Sequence, residues 1–176
     1  MLNKDFLWGG ALAAHQFEGG VLDTTKGLSV ADVMTAGAHG VPREITDGVI
    51  EGKYYPNHIG IDFYHHYKED IAMFADMALS VLEHLLPGVE SSNGDEETPN
   101  EKGLAFYDDM IETMLELGME PVITLSHYET PLHLITEYGG WSNRKLIDFW
   151  KRYVTTVFKR YKGKVKYWLT FNEVDS

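Results

Sequence analysis

Short apolar stretches alternate along this chain with longer segments of helical period, and that alternation leaves few folds open. Phe6 to Gly10, Pro121 to Leu125 and Val165 to Phe171 each have the length of a buried strand, and a further strand is expected soon after Met77. Between them Ile61, Tyr64, Ile71, Phe74, Ala75 and Met77 recur at helical spacing, broken by Lys68, Glu69, Asp70 and Asp76. Leu104, Phe106, Tyr107, Met110, Ile111, Met114 and Leu115 do the same, with Asn100 placed to cap that helix and Gly118 to end it. A last helix is expected to start at Ser142 or Asn143, to carry Leu146 to Tyr161, and to stop near Gly163. Strands separated by helices imply parallel βαβ units, so the expected fold class is α/β, with four parallel strands and three intervening helices. That is half of an eight-stranded barrel.

The segment from Val21 to Asn57 holds no sustained period and is rich in glycine, which makes it an ordered excursion over the barrel mouth. In an α/β barrel, chemistry gathers at the carboxyl ends of the strands. Gln16, His127, Asn172 and Glu173 all fall at or just past such ends, so the fold would bring them to one rim although they are far apart in sequence. Amides and imidazoles both donate and accept hydrogen bonds, which suits a ligand rich in hydroxyls, and a carboxyl can move a proton. Residue type alone would fit helix caps and turn polarity equally well. Among the aromatics Tyr128, Trp141 and Trp168, only Tyr128 is taken as a binding candidate, and Trp168 inside the fourth strand is expected in the core.

Acidic residues outnumber basic ones by 27 to 15, a net charge of -12, which argues against nucleic-acid or anionic-membrane partners. Without cysteine there is neither a disulfide nor a thiolate metal site. His65 and His66 are the most visible histidine pair, but neighbouring helix residues face different ways, so no metal is expected. Asp108, Asp109 and Glu112 are expected to be a solvated helix face. No apolar run precedes Lys4 and Asp5, and none approaches the roughly 20 residues that span a bilayer, so a cytoplasmic address is expected.

Three stretches carry a resemblance to glycoside hydrolase family 1. Phe6-Leu7-Trp8-Gly9-Gly10-Ala11-Leu12-Ala13-Ala14-His15-Gln16-Phe17-Glu18-Gly19 is similar to the family's N-terminal signature, Thr124 to Pro131 to its third-strand signature, and Thr170-Phe171-Asn172-Glu173 to its acid/base signature. Gly37 to Thr46 further resembles the 6-phospho-β-glucosidase branch. The resemblance implies the N-terminal half of a (β/α)8 TIM barrel from a retaining β-glycosidase that needs no cofactor. It implies that Gln16 and His127 bind sugar hydroxyls, that Asn172 binds the hydroxyl beside the reacting carbon, and that Glu173 is the general acid/base, protonated near neutral pH. Retaining glycosidases need a second carboxyl about 5–5.5 Å away. The family's nucleophile lies in a Thr-Glu-Asn-Gly type motif, and nothing of that kind occurs here, so no nucleophile is assigned and the chain as given is expected to be inactive.

Between Met77 and Asn93 the resemblance lapses. Where the family reads approximately Gly-Phe-Lys-x-x-Arg-Thr-Ser-Ile-Ala-Trp-Ser-Arg-Ile-Phe-Pro, this chain runs from Ala78 to Ser92 without either arginine, and Glu83 stands opposite the first of them. Reading possible codons for residues 78–92 one nucleotide earlier restores the family's motif, so this segment is expected to be frameshifted. The expected partner is a β-glucoside or its phosphorylated form, with self-association through exposed half-barrel edges. The alternative function is a non-catalytic carbohydrate-binding or assembly half-barrel.

Overall fold

The computed structural model describes residues 2–21, 26–85 and 98–173, the side chains of 81–85 excepted. Four strands, β1 (Gly9–Ala11), β2 (Val81–Leu85), β3 (Glu120–Thr124) and β4 (Tyr167–Leu169), form one sheet in the order β1-β2-β3-β4. Every neighbouring pair is parallel, and one row crosses the sheet through Ala11, Glu83, Val122 and Tyr167. Five α-helices accompany them: α1 (Ala14–Phe17), α2 (Phe63–Asp76), α3 (Glu101–Glu116), α4 (Leu132–Tyr138) and α5 (Leu146–Arg160). The chain is therefore α/β, as its periodicity implies.

The core lies where α2, α3 and α5 meet β3. Phe63, Ile71, Leu104, Met110, Ile111, Met114, Ile123 and Val157 are fully buried, and each such side chain contributes about 1.5–3 kcal/mol. Asn100 caps α3 as expected, its Oδ1 accepting from the Gly103 N–H at 3.2 Å. Two helices end alike. After α2 the Ala78 N–H donates to the Ala75 carbonyl at 2.9 Å and Leu79 N–H to Phe74 at 3.2 Å; after α3 Gly118 donates to Leu115 at 3.0 Å and Met119 to Met114 at 2.9 Å. Each is a Schellman cap, which needs a left-handed residue at its centre. Gly118 supplies it at φ 75°, and Ala78 is held at φ 61°.

Several expectations need correction. The last helix begins at Leu146, not at Ser142 or Asn143: Ser142 closes a 3-10 turn, Gly140–Ser142, and the Asn143 side chain accepts from the Lys145 N–H at 3.0 Å. The four-residue α1 and seven-residue α4 are too short to show a period. β1 is shorter than Phe6 to Gly10 because the Trp8 N–H is taken by the Ser80 hydroxyl at 2.9 Å. Trp168 is only partly buried, against the core's margin, edge-on to Phe158 at 4.8 Å.

The acidic face of α3 is engaged with its neighbours as well as with water. Asp108 and Glu101 hold Arg160 of α5 at 2.7 and 2.9 Å, Glu112 holds Lys164, and Asp109 holds Lys68 of α2 at 2.8 Å and the Tyr67 hydroxyl. Exposed pairs of this kind are worth about 0–1 kcal/mol each, so they orient helices that the core already holds together.

The long segment before α2 is ordered by buried polar groups. Asp32, in a 3-10 turn (Val30–Val33), accepts from the Ser29 N–H and hydroxyl at 2.8 Å each, and Asn57 and His58 reach the carbonyls of Ala31 and Asp32, also at 2.8 Å. Of residues 78–92, expected to be frameshifted, Ala78 lies in a turn and 81–85 form β2; 86–92 lie outside the described residues. No described helix is long and apolar enough to cross a membrane.

Candidate active site

Three strand ends contribute to one rim. β1 passes directly into α1, which carries His15 and Gln16. The turn behind α1 is pressed against its neighbour: Gly19 has φ 67°, and a Cβ there would lie 1.9 Å from the Ile59 carbonyl oxygen. Glu18, also buried, accepts from the Tyr107 hydroxyl at 2.9 Å, anchoring the first loop to α3. Glu18 is thus a structural carboxylate.

β3 delivers the segment from Ser126 to Thr130, and β4 delivers Asn172 and Glu173. The two are stitched by backbone bonds, Leu125 N–H to the Leu169 carbonyl at 2.8 Å and Asn172 N–H to the Ser126 carbonyl at 2.9 Å. The Asn172 amide then sits 3.4 Å from His127 Nε2, Glu173 Oε2 lies 3.7 Å from that nitrogen, and the Tyr128 hydroxyl donates to Glu173 Oε2. His127, Tyr128, Asn172 and Glu173 therefore form one contact group. Gln16 is exposed on α1, and its side chain hydrogen-bonds none of the other described residues; it joins the group through its neighbour His15, whose ring lies 5.4 Å from those of His127 and Tyr128.

His15 and Glu129 escape a reading by residue type, although both lie inside the quoted signatures. Glu129 Oε1 accepts from the His15 backbone N–H at 2.9 Å and bonds its ring Nδ1 at 2.6 Å. Both residues are buried. Burial works against ionisation of Glu129, but the bond from the His15 ring, its charge when protonated and its backbone N–H prevail, and the carboxyl is held below the usual range. Ionisable residues placed just past two different strands were the available signal.

Glu173 departs from expectation in one respect. The hydrogen bond from Tyr128, helped by nearby His127, holds its carboxyl below the ordinary glutamate value. At this open rim it is ionised at neutral pH, whereas a general acid must carry a proton there.

Among the described residues, His15, His127 and Glu129 form the one group whose ligand atoms all lie within 4.8 Å of one another. As hydrogen-bonded here, His15 Nδ1 and Glu129 Oε1 satisfy each other. His65 and His66 are exposed, with His65 Nδ1 bonded to Asp62 at 2.6 Å. Trp141 belongs to an aromatic group with Trp150 and Phe171, each 5.9 Å away.

Glycosyl hydrolase family 1 matches residues 1–176. The aryl-phospho-β-D-glucosidase BglA of Bacillus subtilis is 61% identical over 174 residues, and a 6-phospho-β-glucosidase of Clostridium longisporum is 53% identical over 174, each match covering 98% of this chain and 36% of the relative. Among solved structures, a family 1 β-glucosidase from Thermotoga maritima superposes with a TM-score of 0.79 at 29% identity, covering 97% of this chain and 36% of that one. A β-glucosidase from Exiguobacterium marinum gives 0.81 at 26% identity, covering 98% and 36%. The chain thus spans about a third of the length of its relatives. With three signatures, a parallel α/β sheet and a rim built from its strand ends all agreeing, the chain belongs to glycosyl hydrolase family 1.

Proposed function

We propose that this chain supplies four strands of a (β/α)8 barrel from a retaining β-glycosidase of phosphorylated β-glucosides. The observation that carries the reading is the meeting of His127, Asn172 and Glu173 where β3 and β4 end. Asn172 and His127 would bind sugar hydroxyls with Gln16, Tyr128 would flank the sugar, and Glu173 would be the acid/base. The preference for a phosphorylated sugar draws on the relatives' substrates and on residues Gly37 to Thr46.

Glu173 would become a working acid only beside a second carboxylate, because repulsion between two close negative charges raises the pKa of one of them. Tyr128, helped by His127, pulls it the other way. By itself, then, the chain should hydrolyse neither p-nitrophenyl β-glucoside nor its 6-phosphate. Turnover by the isolated chain that Glu173→Gln abolishes would overturn this; turnover that persists in Glu173→Gln marks a contaminating enzyme. Joined to a family second half and given the family's second-strand residues in place of 78–92, the chain should hydrolyse the 6-phosphate in a Glu173-dependent manner.

The second-strand replacement follows from the frameshift, which Ala78 supports. The family carries glycine at that place, and here the backbone keeps a left-handed turn on an alanine. Methionine has a single codon, so Met77 followed by Ala78 always spells glycine when read one nucleotide earlier.

A further inference from the structure

Glu129 takes two hydrogen bonds from one residue on another loop, and both end on the same oxygen. The backbone bond fixes where α1 lies relative to the segment after β3. The ring bond fixes how the imidazole is turned. A carboxylate has no hydrogen to give, so His15 must carry its proton on Nδ1, leaving Nε2 as the acceptor in the neutral ring. That is the less common form for a free histidine side chain, and a buried carboxylate with its side chain 1% exposed is what selects it here.

The ring so oriented lies edge-on to both His127 and Tyr128, at 65° and 85° with centroids 5.4 Å apart in each case. Those two residues in turn touch Asn172 and Glu173. Gln16 follows His15 on the same short helix. We propose that Glu129 is a positioning residue: through His15 it locks the rim residue of the first loop, Gln16, to those of the third and fourth, and sets the imidazole form against which His127 and Tyr128 rest. The sugar-binding half of this inference rests on the proposed function; the dyad itself does not.

The test uses nuclear magnetic resonance of the full chain, observing histidine ring nitrogens and the Gln16 side-chain amide, in the parent and in Glu129→Gln and Glu129→Met. Glutamine keeps an acceptor oxygen, whereas methionine keeps the bulk and removes it. At a pH where the ring is neutral, His15 should be the Nδ1–H form in the parent and in Glu129→Gln, and should revert to Nε2–H in Glu129→Met. Titration with methyl β-D-glucoside should shift the Gln16 amide and the His127 ring together, with affinity about tenfold lower in Glu129→Met and nearly kept in Glu129→Gln. An Nε2–H ring in the parent, or an unchanged ring form in Glu129→Met, overturns the dyad. A correct ring response with no sugar-induced shift in the parent overturns the sugar-rim reading while sustaining the dyad, so the two failures are told apart.

Discussion

Ala78 holds, at the end of α2, the place that Gly118 holds at the end of α3. Both sit at the centre of a Schellman cap with the same pair of hydrogen bonds, and both have positive φ, 61° and 75°. For a residue with a Cβ the left-handed region costs about 1–2 kcal/mol. A Cβ added at Gly118 would meet nothing within 4 Å, so the cost there is backbone alone.

Ala78→Gly should therefore stabilise the chain by about 1 kcal/mol, less the extra freedom that glycine gives the unfolded state. Gly118→Ala should destabilise it by a similar amount. Urea unfolding of both variants checks this, and equal signs for the two substitutions would contradict it.

The coding DNA gives an independent check on the same stretch. Codons for Ala78 to Ser92, read one nucleotide earlier, should spell the family's second-strand motif with two arginines and a tryptophan. That requires A or C closing the codons of Leu82 and Val89, since both AGA and CGA encode arginine, and T closing that of Pro87. Other bases at those three places would remove the frameshift.

Glu129 should leave a mark on acid stability. Its folded pKa is depressed, so its contribution is present above the unfolded glutamate value, about 4.3, and is lost as pH falls through the folded value. The difference in urea midpoint between the parent and Glu129→Gln should be constant above about pH 5 and should shrink below about pH 4. Glu173 is also depressed but stands exposed, so Glu173→Gln should leave the acid limb nearly unchanged.

Self-association is the expected behaviour of the isolated chain. Apolar side chains crowd the two outer strands, with Trp8 61% and Phe171 44% exposed and Leu7, Tyr167 and Leu169 beside them. Surfaces of this kind seek cover. Size-exclusion chromatography with light scattering should show species larger than the monomer, and Trp8→Lys together with Phe171→Lys should shift them toward it.

The long elements were legible because length makes a period visible: α2 and α3 follow their apolar spacing, and Asn100 and Gly118 mark the bounds of α3 by their chemistry. α1 and α4 were not, since neither is long enough for a repeat to show. The rim residues His127, Asn172 and Glu173 could be placed because each follows an apolar run at a strand end. Nothing local marks the bond between His15 and Glu129, which joins residues 114 positions apart. Nor does an isolated glutamate reveal that a tyrosine hydroxyl from another loop lowers its pKa below the ordinary value. Both effects belong to the assembled fold.

The sheet also has a temporal side. Each strand after β1 lies beside the one made just before it, so β2, β3 and β4 each find a partner already synthesised. During translation, at about 5–20 residues per second, β2 can dock on β1 and β3 on β2 while later segments are still inside the ribosome. The rim then assembles by arrival: Gln16 first, His127 onto a sheet already three strands wide, Asn172 and Glu173 last. Glu173, the proposed acid/base, would arrive at a rim where Gln16 and His127 already stand.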